Sequence, residues 1–162
     1  MFENDTKIFV LQLTDPRSID DFFPVLADDA IYQLIPAPSP LTIVDFRNRH
    51  GMMNSKLSFG AYLDLERTVP IGLLEVNIQH GGLANIGYML GRAYWRRGFG
   101  SQIIAKSILQ LNSGILTLRA TVDSRNTGSI RALEKNQFVR QETRLGMLKK
   151  QAAMEYVYQR EI

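Results

Sequence analysis

The run Ile86-Gly87-Tyr88-Met89-Leu90-Gly91-Arg92-Ala93-Tyr94-Trp95-Arg96-Arg97-Gly98-Phe99-Gly100-Ser101 constrains this chain more than any other stretch. A β-rich segment leads into a glycine-bearing turn, and Ile103, Ile104, Ile108 and Leu111 then recur at helical spacing. A strand that enters a helix this way leaves several backbone N–H groups unpaired and converging at the helix start. Gly98 and Gly100 allow the sharp bend. Arg96 and Arg97 stand where cations oppose the helix dipole, at about 0.3–1 kcal/mol each, unless an anion lies between them and the amides. A plain structural turn with two solvated arginines is the competing reading. The conjunction of strand, helix start and arginines favours a phosphate-binding turn.

With 162 residues, 45% of them hydrophobic, the chain can bury one core, so residues 1–162 are expected to form a single domain. There is no cysteine, which excludes disulfides, zinc-thiolate sites and a thiol nucleophile, and fits a cytoplasmic protein. No apolar run approaches the roughly 18–20 residues that cross a bilayer, and the start, Met1-Phe2-Glu3-Asn4-Asp5, is acidic where a leader is basic. Neither a leader nor a membrane partner is expected. The net charge of +3 is mild, and Arg96-Arg97 and Lys149-Lys150 are only pairs, so nucleic acid is not an expected partner. His50 and His80 stand far apart without a carboxylate spacing for a metal, and both read as surface residues.

The expected elements follow from periodicity and punctuation. Residues 6–13 read as a strand. Asp15-Pro16 starts a helix to about Ala27, with Ile19, Phe22, Phe23 and Leu26 on one face. The prolines of 36–40 make a loop, and Thr42 to Asp45 resembles a capping arrangement for a second helix to about Asn54, with Leu41, Val44, Phe46 and Met52 inward. Residues 57–65, 70–79 and 83–90 read as a three-strand meander. A helix from Gly98, a strand over 115–122, a helix over 127–136 and strands over 138–145 and 147–160 complete the order β-α-α-β-β-β-α-β-α-β-β. The strand-helix-strand unit from Leu83 to Val122 requires two parallel neighbours inside a sheet of antiparallel hairpins, so the fold class is α+β with a mixed α/β sheet. A cleft is expected where the parallel pair separates, beside the helix start.

The motif Trp95-Arg96-Arg97-Gly98-Phe99-Gly100 resembles the phosphate motif of the GNAT superfamily of N-acetyltransferases, in the form found in its RimJ/RimL-like branch. Asn126-Thr127-Gly128-Ser129-Ile130-Arg131-Ala132-Leu133-Glu134-Lys135-Asn136-Gln137-Phe138 is similar to the branch's Asn-x-x-Ser-x-x-x-Leu-Glu-Lys-x-Gly-Phe segment, with Gln137 in place of glycine. The resemblance implies a GNAT-like sheet splayed between its fourth and fifth strands, with acetyl-CoA as co-substrate in the split and no metal. It implies that the backbone of Tyr88, Met89 and Leu90 binds the pantetheine arm. The amides of Arg96, Arg97, Gly98, Phe99, Gly100 and Ser101 would hold the pyrophosphate, and Asn126 would bind the arm from the other side.

The implied reaction joins acetyl-CoA to a primary amine, either a protein N-terminus or a small molecule, by a monomer or homodimer. Many GNAT enzymes place an acidic tyrosine seven residues after the downstream asparagine; here that residue is Leu133. Ser129 is the alternative proton donor, or else a helix-start residue that satisfies local amides. Related sequences carry Glu before the Ile-Gly-Tyr, where this chain has Asn85. Glu75, between Leu74 and Val76, is the candidate base if half-buried with a raised pKa, and otherwise a solvent-facing strand residue. The acceptor side is expected from the early helices, the proline loop and the closing hairpin, where Asp28, Asp29 and Glu155 could attract a cation. A non-catalytic acyl-CoA-binding regulatory module is the alternative function.

Overall fold

In the computed structural model, which describes residues 6–162, seven strands make one mixed sheet. They are β1 (Phe9–Gln12), β2 (Lys56–Tyr62), β3 (Pro70–Ile78), β4 (Leu83–Leu90), β5 (Thr117–Asp123), β6 (Val139–Leu148) and β7 (Gln151–Glu161). Their spatial order is β1-β2-β3-β4-β5-β7-β6, and only β4 and β5 run parallel. The acidic start 1–5, used above to argue against a leader, lies outside the described residues.

One face of the sheet packs against α4 (Phe99–Ile108) and α5 (Thr127–Lys135), burying Phe59, Ile71, Ile86, Phe99, Ile103 and Leu133 among others. The other face, over β2 to β4, carries α1 (Phe23–Leu26), α2 (Asp29–Tyr32) and α3 (Ile43–His50). Ile19, Phe22, Leu26, Tyr32 and Phe46 pack there against Tyr62, Leu73 and Met89.

The first helical stretch differs from its expected form. Asp15 caps it and Pro16 begins it, but residues Pro16–Phe22 form a 3₁₀ helix before α1. Pro24 accounts for its last turn: the proline nitrogen cannot donate to residue 20, and Asp20 accepts instead from the Phe23 N–H, three residues on. The short α2, capped by Asp28 through the Ala30 N–H, was not anticipated. The capping box of α3 forms as expected between Thr42 and Asp45. Its buried face is Phe46 and His50, one turn apart, whereas Leu41, Val44 and Met52 are exposed. Leu41 and Met52 fall outside this eight-residue helix, so its periodicity never reaches them. His50 is 4% exposed, contrary to its expected surface position.

The closing hairpin turns at Lys149-Lys150, both with left-handed φ (49° and 67°), rather than near Gly146. Gly146 lies within β6, where a Cβ would run into the Glu155 carboxylate. Its smallness serves a close approach.

After α5 the chain makes a Schellman turn: Phe138 N–H donates to Leu133 C=O (3.1 Å) and Gln137 N–H to Glu134 C=O (3.0 Å). Gln137 takes the left-handed position with φ of 65°. A residue with a Cβ costs about 1–2 kcal/mol there, and glycine returns part of that gain as unfolded-state entropy. Gln137→Gly is therefore expected to stabilise by about 0.5–1 kcal/mol, read as a rise in Tm of roughly 1–4 °C by calorimetry.

Candidate active site

Only three rungs join the parallel pair: Leu83 to Thr117, Ala84 to Leu118 and Asn85 to Arg119. Beyond them β5 pairs with β7 alone, through Asp123 to Glu155, and β4 continues with β3 alone to Leu90. The sheet therefore splits along residues 86–90 on one side and 120–123 on the other. Main-chain groups alternate in direction along a strand. Gly91 N–H donates to Ile71 C=O and Leu83 C=O accepts from Gln79, so Leu83, Asn85, Gly87, Met89 and Gly91 turn toward β3. Tyr88 and Leu90 consequently turn their peptide groups into the split. The Leu90 carbonyl is already taken by the indole N–H of Trp95 at 2.8 Å. What remains for a ligand is the N–H and C=O of Tyr88 and the N–H of Leu90. Met89 offers nothing there: its peptide groups face β3 and its side chain is in the core under α1. Strand alternation, and not adjacency to Tyr88 and Leu90, decides which peptide groups face the split.

The turn that follows has the geometry of an anion cradle. Arg96 and Gly98 both have left-handed φ, 59° and 77°, with Arg97 between them. Alternating handedness of this kind turns successive N–H groups toward one point. Gly98 is the N-cap of α4, and the first N–H to reach back into the helix is that of Gln102, to Gly98 C=O. The amides of Phe99, Gly100 and Ser101 precede it and have no intrahelical acceptor. The Phe99 ring is fully buried and anchors the turn, leaving only its amide for a ligand. The guanidinium of Arg97 lies 4.9 Å above that ring, and both arginine side chains are exposed. A Cβ on Gly98 would meet nothing within 4 Å, so this glycine answers to backbone conformation and not to crowding.

The second motif borders the same split. Asn126 caps α5, its Oδ1 accepting from Ser129 N–H at 3.2 Å. Its carbonyl oxygen is thus committed to the helix, and its amide nitrogen is the end that remains for a ligand. Ser129 Oγ lies 3.2 Å from the hydroxyl of Tyr88, so the two walls of the split are joined by a hydroxyl pair. Only the backbone of Tyr88 had been singled out; its side chain carries no spacing signal. Burial pushes the Tyr88 phenol up, against the opposing pull of the Ser129 hydrogen bond. Behind the pair, the buried amide of Asn136 donates to Ser101 C=O (3.1 Å) and Oγ (3.1 Å) and to Ala132 C=O (2.8 Å), bracing α4 against α5.

Glu75 lies on β3 directly opposite Gly87 of β4. Space above Gly87 is open, since a Cβ there would touch nothing within 4 Å. Glu75 is neither solvent-facing nor a raised-pKa carboxylate. Its side chain is 19% exposed, and Oε1 takes both the Nζ of Lys56 (3.1 Å) and the Nδ1 of His50 (3.1 Å). Burial is the largest single influence and raises its pKa, but the interactions with His50 and Lys56 together outweigh it and leave it below the ordinary value. The signal for this cluster was faint: Lys56 and His50 belong to different elements, and nothing in their spacing ties them to Glu75. Such a carboxylate is ionised at neutral pH and suits holding an ammonium better than taking a proton.

Two recesses open on the same side of the sheet as Glu75. One, of about 500 Å³, is lined by Asp29, Tyr32, Pro38, Arg125 and Lys149, from the early helices, the proline loop, the β5–α5 connection and the hairpin turn. The other, of about 380 Å³, lies over the bare strands β5, β7 and β6 and is lined by Asn85, Arg119, Thr121, Glu142 and Arg144. Of the acids that could attract a cation, Asp28 is paired with Arg92 (2.9 Å) and Glu155 with Arg144 (3.0 Å). Asp29, unlike the other two, lines one of these two recesses.

Known proteins share this architecture. The spermidine N-acetyltransferase of Vibrio cholerae, solved with CoA and spermine, superposes with a TM-score of 0.78 at 13% identity, covering 97% of this chain and 96% of that one. The ribosomal-protein-S5-alanine acetyltransferase of Vibrio fischeri gives 0.75 at 16% identity, over 99% and 94%. A GNAT-family acetyltransferase of Bacillus anthracis gives 0.75 at 20% identity, over 95% and 94%. At these identities the likeness is one of fold. No curated protein sequence matches the chain. The family model for the acetyltransferase (GNAT) domain matches residues 9–139, and with that span the chain belongs to the GNAT acetyltransferases, as an acyltransferase that uses acetyl-CoA.

Proposed function

We propose that the protein transfers an acetyl group directly from acetyl-CoA to a primary amine within a ternary complex, and that it belongs to the RimJ/RimL-like branch. The observation that carries this reading is the cradle at Arg96 to Ser101 opening onto the unpaired edge of β4. The pyrophosphate of CoA sits in the cradle, and the pantetheine arm runs along Tyr88 and Leu90 as an added strand, with the Asn126 amide on its other side. The branch assignment is supported by Trp95 heading the phosphate motif and by the Asn126 to Phe138 segment.

The amine enters across the open space above Gly87, where the ionised Glu75 holds it in reach of the thioester. Holding both substrates together is worth about 7–11 kcal/mol of barrier. The bound ammonium first gives one proton to water, the freed nitrogen lone pair attacks the carbonyl carbon, the C–S bond breaks, the nitrogen loses its second proton to water, and Ser129 protonates the thiolate. A protein N-terminus and a small-molecule amine both fit this scheme. Because Leu133 occupies the usual tyrosine position and is buried, an acyl-CoA-binding module without turnover is the second reading. Thiol release from acetyl-CoA on adding a panel of primary amines separates them: amine-dependent release supports transfer, and tight CoA binding without release with any amine supports the module.

Gly98→Val places a β-branched residue at φ of 77° with open space around its Cβ. The expected result is a loss of CoA affinity of tenfold or more by calorimetry, with Tm lowered by no more than about 5 °C. Glu75→Gln leaves the Lys56 ammonium, 5% exposed, without its counter-charge. It is expected to destabilise by about 3 kcal/mol at neutral pH. The folded pKa of Glu75 lies below its unfolded value, so its contribution is present above pH 4.5 and fades as pH falls further. Denaturant melts of both proteins between pH 3 and 7 are therefore expected to converge at the acid end.

A further inference from the structure

The side chain of Tyr88 leaves the split on the side of α4 and packs on the main core. Its hydroxyl lies under Gly100, where a Cβ would come within 2.9 Å of it, and 3.2 Å from Ser129 Oγ. The second glycine of the turn is thus also the residue that lets a phenol reach α5. Gly100 is in the first turn of α4 and Ser129 in the first turn of α5, so the positive ends of two helix dipoles flank the phenol oxygen.

This placement answers a chemical difficulty in the proposed reaction, on which the present inference rests. An aliphatic alcohol is a far weaker acid than a thiol, so a serine that protonates a thiolate must regain a proton at once. Leu133 is buried in the core and has none to give. A phenol is a stronger acid than an aliphatic alcohol and so the better match to a thiol, even with burial pushing the Tyr88 phenol above its ordinary value. We infer that Tyr88 supplies the proton for the leaving thiolate, relayed through Ser129. As the amine nitrogen bonds to the carbonyl carbon and the C–S bond breaks, the Ser129 O–H proton passes to sulfur and the Tyr88 O–H proton passes to Ser129 Oγ. The transient phenolate takes a proton from water after the products leave. Without a thiolate, the Ser129 hydroxyl donates to Tyr88; hydroxyl hydrogens rotate freely, and the direction reverses when sulfur becomes the acceptor.

The test uses the full chain, acetyl-CoA and the amine that gives the fastest thiol release. Tyr88→Phe is expected to lower kcat roughly 10²-fold, while the Kd for CoA stays within twofold by calorimetry. Ser129→Ala should cost about the same, and the double variant no more than the worse single. In mixtures of H₂O and D₂O, the wild-type rate should bow as for two protons in flight, and that of Tyr88→Phe should fall on a line or lose its isotope effect. A purely structural phenol would lower CoA affinity or Tm without changing that curve. Should Tyr88→Phe fold poorly, 3,5-difluorotyrosine at position 88 keeps the ring and hydroxyl and should move the alkaline limb of kcat to lower pH. A kcat within threefold of wild type in Tyr88→Phe, additive single losses, or an unmoved alkaline limb would overturn the relay and leave the transferase reading intact. Absence of thiol release with every amine would overturn both.

Discussion

Three rungs of parallel pairing hold β4 to β5, and the site depends on there being no more. If the pair closed along its whole length, the peptide groups of Tyr88 and Leu90 would be satisfied by β5 and no edge would face the turn at Arg96. The split persists because each strand is secured on its other side, β4 along its full length by β3 and β5 along its full length by β7. Its depth is then set by the helices. Phe99 anchors the start of α4, Ile103 and Ile104 bury its stem, and Asn136, at the end of α5, ties that helix to Ser101, so the start of α4 is fixed at the mouth of an opening that backbone pairing alone would leave loose.

In the proposed reaction, donor and acceptor are served by opposite faces. The amide cradle, the Tyr88 phenol and Ser129 belong to the layer of α4 and α5, whereas Glu75, His50 and Lys56 belong to the layer of α1 to α3. Gly87 connects them, because its missing side chain leaves the sheet open next to Glu75. The acidic group on the acceptor side is not a strong base: it is clamped at one oxygen by an ammonium and an imidazole. That arrangement favours binding a cation over removing its proton, and it assigns most of the acceleration to holding two substrates in one place.

The order of the strands and the tight turn at Gly98 were legible in the chain because both are local. Strand periodicity, Asp15-Pro16, the Thr42–Asp45 box and Gly98 at a left-handed N-cap each act within a few residues. What could not be read was set by contacts between distant segments. Glu75 looked like half of an alternating strand, since its partners come from α3 and β2. Tyr88 was singled out for its backbone only, because nothing near it in sequence points to Ser129, 41 residues on. Pro24 lies inside an apolar face that recurs at helical spacing, and that periodicity masks the hydrogen bond the proline removes. Gly146 shows the converse error, a glycine inside a strand where a turn was expected, whereas Gln137 keeps the left-handed position in which related sequences have glycine.

The central claim, that unpaired main-chain N–H groups beside the split grip the diphosphate and arm of CoA, is tested most directly by titrating the ¹⁵N-labelled protein with CoA and following its amide resonances. The account predicts saturable shifts concentrated at residues 96–101, Tyr88 and Leu90, with Met89 moving less than either neighbour. Binding that leaves those amides unmoved, or no binding at all, would contradict it.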